Sequence, residues 1–297
     1  MQKFFRRNGW GYFFLTPWFI GFFFLAIGPI LASLYLAFTD YNIAQPPKWV
    51  GPENFEFMLF YDDRFWKAMR VTFTFVFLSV PLKLIFALIV AMILDKGIRG
   101  IGLYRALFYL PSILGGSIAV AILWRQLFDY NGVINAILRP FGIVGPYWLN
   151  EPQYALHTLV VLAMWQFGSP MLIFLAGLRG IPQELYEAAN IDAAGPVRRF
   201  FAITVPLLAP VIFFNLVLQM IDAFKAFSSA FVISGGNGAP FDALLFITVF
   251  LYQEAFSFFR MGYASALAWV LLIIIAAFTA IAFWTSKYWV HYENERG

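Results

Sequence analysis

The chain has 297 residues, 62% of them hydrophobic and only 12% charged, with a net charge of +4 and no cysteine. That balance excludes an ordinary soluble domain, which carries about twice the charge. The missing thiols exclude disulfides and cysteine-ligated metals.

A bilayer span needs roughly 20 predominantly apolar residues. Six runs qualify, at about 12–38, 71–94, 104–128, 155–178, 205–233 and 264–286. They predict an all-α membrane protein of six transmembrane helices in one domain over 1–297, with core spans at about 71–286. The first run follows a basic start and continues through Phe38, longer than a secretory signal core, with no small-residue cleavage site after it. It is read as a retained helix, with Pro17 and Pro29 as kink points.

Segment 39–69 is the longest polar stretch. Within it, residues 54–60 read as an interfacial amphipathic helix and Phe65-Trp66 as an aromatic anchor. Lys83 lies inside span two and reads as structural or snorkelling. Pro111, Gly115 and Gly116 mark a break at the opening of span three, and Gly168 and Pro170 a break in span four. A second interfacial helix is predicted over Val133 to Leu138, before the turn residues Pro140, Gly142 and Pro146.

The loop between spans four and five, about 179–206, is compositionally distinct. Pro182-Gln183-Glu184 starts a short helix through Ala189, and Gly195-Pro196 resets the chain, because proline suits a first helical position. Paired alanines admit a close partner backbone, and Glu187 and Asp192 offer acceptors to a partner's cations. On span five, Asn215, Gln219, Asp222, Lys225 and Ser229 recur at steps of four, three, three and four, which places them along one helical face. That seam either packs against another helix, with Asp222 and Lys225 paired, or lines an aqueous solute path. Gly235-Gly236-Asn237-Gly238 and Pro240 then form an external turn.

Charge fixes orientation through the excess of Lys and Arg on the cytoplasmic side. Lys3, Arg6, Arg7, Lys96, Arg99, Arg105, Arg179, Arg198, Arg199, Lys287 and Arg296 fall on one side. Lys48, Arg64, Lys67, Arg70, Arg125, Arg139 and Arg260 are spread over longer segments of the other. Both termini are predicted cytoplasmic. No basic face with interleaved aromatics suggests nucleic acid. His157 and His291 stand alone, so no metal site is expected. No phosphate-binding loop, zinc-protease or nucleophile-elbow motif occurs, and no catalytic residue is assigned.

In the loop, Glu187, Ala188, Ala189, Ile203 and Pro206 match the pattern E-A-A, three residues, Gly, nine residues, I-x-L-P. Val205 replaces the Leu and Ala193 the Gly, with Gly195 two residues on offering relief of the turn. The chain thereby resembles the permease subunits of binding-protein-dependent ABC importers. Gly11–Pro17, Val50–Phe55, Ala106–Pro111 and Ile233–Gly236 extend the likeness to the maltose-permease-like carbohydrate branch.

The resemblance implies a type I importer permease fold in a bacterial or archaeal inner membrane. It implies a second homologous permease, two copies of a cytoplasmic ATP-binding subunit and an external solute-binding protein, with ATP and Mg2+ bound by the ATPase subunits and no cofactor on this chain. Glu187, Ala188, Ala189, Asp192, Ala193, Gly195, Ile203 and Pro206 would couple to the ATPase. Ser112, Gly116, Phe167, Gly168, Met171, Asn215, Gln219, Asp222, Lys225 and Ser229 would lie along the path of a saccharide, neutral or charged. A non-sugar ABC permease, or an ion-coupled carrier using Asp222, is the alternative.

Overall fold

The computed structural model describes residues 13–97 and 100–290. Lys3, Arg6, Arg7, Arg99, Arg296, His291 and the start of the 11–17 segment lie outside the described residues. Among the described residues four helices are long and apolar enough to cross a membrane: Phe13–Leu36, Asp63–Asp95, Pro196–Ile233 and Met261–Ser286. Two further candidates are bent pairs, Ile101–Leu114 with Ile118–Leu127 at 99° and Pro152–Trp165 with Gly168–Gly180 at 43°. Counting each pair as one span gives the six expected, numbered here in chain order.

By contacts the chain divides into two compact units, one of residues 1–62 and 251–270, the other of 63–250 and 271–297. In the first, span one leads into a hairpin the sequence did not announce. Strand β1 (Thr39–Asn42) pairs antiparallel with β2 (Gln45–Trp49), Thr39 opposite Trp49 and Asn42 opposite Gln45. Its polar, proline-containing strands lack the alternation that marks a strand in sequence. What holds it is tertiary: the Asn54 amide donates to the carbonyls of Ala37 and Thr39 at 2.9 and 3.0 Å. Gly262 sits so close to the Thr39 carbonyl that a Cβ would collide with it. The amphipathic helix is present as Glu53–Phe60, with acidic Glu53 and Glu56 at its positive end.

The second unit is built around span two, which begins at Asp63, earlier than the apolar run suggested. Phe65 therefore falls in its first turn and is 2% exposed, so it is core; only Trp66 keeps the exposure of an anchor. Rings from three spans meet at Phe73, Phe224 and Phe278, each pair of centroids 5.5 Å apart. Such edge-on and tilted pairs add to the burial of large apolar surface. The short helix expected over Val133 to Leu138 is present with those bounds.

After the turn at 235–240 the chain packs into the protein interior. Leu244, Leu245, Phe246 and Ile247 are essentially buried, and the Ile247 amide donates to the Thr72 hydroxyl at 2.9 Å. A polar turn followed by four buried apolar residues is too short for a span-length window to register.

The break in span three lies at Gly115–Ser117, in its middle rather than at its opening, with Pro111 inside the first helix. The breaks in spans three and four satisfy each other. The Ser112 hydroxyl donates to the Gln166 carbonyl at 2.9 Å and accepts from the Ser169 amide at 3.0 Å. The Gln166 side-chain amide donates to the Gly115 carbonyl at 3.1 Å. Backbone groups freed from a helix at membrane depth need partners of this kind, because hydrocarbon offers none.

Candidate functional site

Two places gather the residues singled out in the sequence. The first is the loop after span four. Helix Gln183–Ile191 has no buried residue; Glu187, Ala188, Asp192 and Ala193 are exposed, and Ile191 is 87% exposed. It is not floppy, however. The Tyr186 hydroxyl hydrogen-bonds the Thr204 hydroxyl at 2.8 Å, and Arg199 donates to the Asn190 side chain. These bonds tie the middle and the C-terminal end of the short helix to the start of span five. A second helix begins at Pro196, where Gly195-Pro196 resets the chain, and it continues into span five. Ile203 lies half-buried in a π-helical turn, Phe200–Thr204, and Pro206 is exposed just beyond it.

The helix ends in a Schellman geometry. The Ala193 amide donates to the Asn190 carbonyl at 3.1 Å and the Ala194 amide to the Ala189 carbonyl at 2.9 Å. The residue after the cap must then be left-handed, and Ala193 is, at φ 52°. Gly195 gives no relief: it is extended at φ −68°, ψ 163°, and starts the next helix. Alanine thus occupies a conformation that costs an L-residue about 1 kcal/mol relative to glycine. Ala193→Gly is expected to raise the thermal unfolding midpoint in detergent slightly and leave the helix in place. Ala193→Val, with its branched Cβ, is expected to lower the midpoint, and equal midpoints for the two variants would mean the turn is not left-handed.

The second place is a partly open cavity whose empty space, open solvent included, is about 510 Å³. Span two contributes Phe75, Ser79, Val80 and Lys83; span four Leu159, Leu162, Ala163 and Gln166; span five Gln219, Asp222, Ala223, Ala226 and Ser229. It lies beside the break of span four at Gln166 and the break of span five between Phe224 and Ser228. Irregular backbone at this depth is stable where it lines a cavity or is covered by protein. Here the Ala226 carbonyl, freed by the break, accepts from Thr248 at 2.6 Å.

Of the seam expected on span five, Gln219, Asp222 and Ser229 line this cavity. Lys225 does not; it caps the helix outside and pairs with Asp222 at 3.6 Å. Ser229 belongs to the next short helix, so the face is not continuous. Asn215 is fully buried, and neither of its side-chain polar atoms finds a partner among the described residues. Ser112, Gly116, Phe167, Gly168 and Met171 are absent from the lining. Ser112 ties the two breaks together, Phe167 and Met171 are buried at 5% and 0% exposure, and Gly168 lets spans three and four touch.

Ser79 and Gln166 were not singled out in sequence. A serine in an apolar run and a glutamine between tryptophan and phenylalanine carry no periodic signal. Lys83, which the sequence reads as structural or snorkelling, lines the cavity; its presence inside an apolar span is the available clue.

A family model described as "Binding-protein-dependent transport system inner membrane component" matches residues 57–290. Over 291 residues the chain is 52% identical to the probable ABC transporter permease protein YesP of Bacillus subtilis (strain 168), which spans 98% of this chain and 94% of that protein. It is 32% identical over 280 residues to the trehalose/maltose transport system permease protein MalF of Thermococcus litoralis, covering 93% of each. Among solved structures, it superposes with a TM-score of 0.82 on a chain of a bacterial alginate ABC transporter in complex with an alginate pentasaccharide-bound periplasmic protein, over 96% of both chains at 21% identity. The architecture is that of a type I importer permease.

Proposed function

We propose that this chain, which belongs to the family of binding-protein-dependent transport system inner membrane components, forms half of the pathway of an ATP-driven importer for a sugar or oligosaccharide. It is a non-catalytic permease subunit of a membrane transporter. The finer reading rests on one observation above the others: a short, exposed helix, Gln183–Ile191, held firmly to the base of span five. A carrier driven by ions has no use for such a projection, whereas an importer must transmit force from a separate ATPase.

In this reading Glu187, Ala188, Ala189, Asp192 and Ala193 seat the helix in a cytoplasmic ATPase subunit, and Gly195, Ile203 and Pro206 pass its displacement into span five. Two ATPase copies carry the ATP and Mg2+. A second, homologous permease completes the pathway in the inner membrane, and an external binding protein delivers the saccharide. Names of relatives speak for a saccharide but not for its charge, since they include a trehalose/maltose system and an alginate transporter.

The cavity suits a hydroxylated solute, offering Ser79, Gln166, Gln219 and Ser229 among apolar walls. Hydrogen bonds of this kind contribute about 0.5–1.5 kcal/mol each. Gln219→Leu is therefore expected to raise the KM for uptake roughly two- to tenfold, and Lys225→Ala, outside the lining, to change it less. The reversed order would make the seam packing and not path.

The class is tested by reconstituting the four kinds of subunit in proteoliposomes. Uptake is expected to require internal ATP and to persist with ion gradients collapsed. Uptake driven by a proton or cation gradient without ATP would transfer the role to Asp222 and end the importer assignment.

A further inference from the structure

None of the residues of helix Gln183–Ile191 is buried, so packing contributes little to holding it against span five. Side-chain bonds do that instead. Tyr186 and Asn190 are four residues apart and therefore share one face of the short helix. The partners they meet, Thr204 and Arg199, are five residues apart at the base of span five.

Five is the wrong spacing for an ordinary helix. At 3.6 residues per turn, residues five apart point about 140° away from each other. The chain resolves this with the π-helical turn Phe200–Thr204, where the Val205 amide donates to the Phe200 carbonyl, five residues back. The wider turn brings Arg199 and Thr204 toward one side, so that both face the short helix. Thr204 is 6% exposed, and Tyr186 is the only hydrogen-bond partner of its hydroxyl among the described residues. Beyond this turn, helix Val205–Phe224 carries Gln219, Asp222 and Ala223 of the cavity lining. Gln219 stands 15 residues beyond Thr204, roughly 23 Å along the helix.

We propose that the π turn and the Tyr186–Thr204 hydroxyl pair form the joint through which the exposed helix turns span five. Tyr186 and Thr204 are then positioning residues for the cavity. The inference rests on the importer reading above and names where force crosses between the two helices. Without the hydroxyl bond, only the connecting residues 192–195 and the exposed Arg199–Asn190 contact join them. A displaced short helix then swivels at that connection and leaves span five behind.

The chain has no cysteine, so Ala223→Cys places a single thiol on this subunit, in the cavity wall and on the driven helix. Its rate of alkylation by N-ethylmaleimide, read on this subunit's band, is measured in the complete importer. One sample is free of nucleotide, and the other holds Mg2+ and a non-hydrolysable ATP analogue. The two rates are expected to differ. Adding Tyr186→Phe and Thr204→Val together is expected to shrink that difference about threefold or more, because one hydrogen bond shifts an equilibrium roughly two- to tenfold.

The double variant removes both hydroxyls, so it leaves no buried polar group orphaned and the thermal midpoint is expected to hold. Thr204→Ser, which keeps the hydroxyl, is expected to preserve the full difference. Co-purification of the ATPase subunit is expected unchanged throughout, since Glu187 is untouched. If the double variant shows the full difference, or loses the ATPase subunit, the joint is overturned and the importer stands. If the two rates are equal with the joint intact, nucleotide does not move this part of span five and the inference falls alone. The importer reading falls only if the ATP-dependent uptake described above is absent.

Discussion

Glu187→Ala is expected to reduce ATP-driven uptake at least tenfold in the assembled importer without unfolding the chain. Glu187 is exposed and makes no hydrogen bond or ion pair with any described residue, on a helix none of whose residues is buried. Its removal therefore costs this chain's own fold almost nothing. On the proposed docking, the variant loses an acceptor for a cation on the ATPase subunit, and hydrogen bonds to charged groups contribute about 1.5–3 kcal/mol. At about 1.4 kcal/mol per factor of ten, that is roughly ten- to a hundredfold in association or coupling.

Co-purification of the ATPase subunit, together with hydrolysis stimulated by the loaded binding protein, separates the two outcomes. Weakened co-purification means lost docking; intact docking with unstimulated hydrolysis or idle uptake means lost transmission. Wild-type values for both would remove Glu187 from the interface.

Gly168→Val is expected to abolish a properly folded chain, and Gly116→Ala to be nearly neutral. A Cβ at Gly168 would strike the backbone of Phe108 and Tyr109 and stand 3.0 Å from the Ser112 hydroxyl. Backbone cannot step aside as a flexible side chain does, so spans three and four would separate. Overpacking of this kind typically costs about 1–3 kcal/mol, and here it also breaks the Ser112 bonds that satisfy both helix breaks. At Gly116 a Cβ meets nothing within 4 Å. The monodisperse fraction after detergent extraction, with the thermal midpoint of what survives, measures both. Equal yields from the two variants would contradict the close crossing at Gly168.

These two glycines looked alike in the sequence, and both were assigned to the solute path. Only the tertiary structure distinguishes them: one is a contact between helices, the other faces open space, and neither lines the cavity. The same holds for lysines. Lys83 and Lys225 each interrupt an apolar span, and the sequence favoured Lys225 because it falls in step with Asp222. That step is local, and the ion pair at 3.6 Å agrees with one of the two readings it left open. It did not give the cavity, which depends on Lys83 from span two and Gln166 from span four meeting span five.

Some features were legible because their causes are local. Apolar run length marked the spans, and Pro182 and Gly195-Pro196 framed the exposed helix Gln183–Ile191. The proline and glycine clusters announced that spans three and four were broken, though not that they bend by 99° and 43°. Bend angles depend on which neighbour satisfies the freed carbonyls, and that neighbour is 51 to 57 residues away. The hairpin at 39–49 and the buried residues 244–247 were missed for the same reason: their partners, Asn54 and Thr72, lie outside any local window.

By itself, then, the sequence determined that this chain crosses a membrane, which side its charges favour, and where its projecting helix begins. Each of these follows from hydrophobic length, charge bias or turn chemistry within a few residues. Tertiary structure decided which polar groups share a cavity, which glycines are contacts, and that Ala193 holds the left-handed turn while Gly195 does not. Those outcomes follow from packing and hydrogen-bond satisfaction between segments far apart in the chain, where a residue's role is set by what it faces.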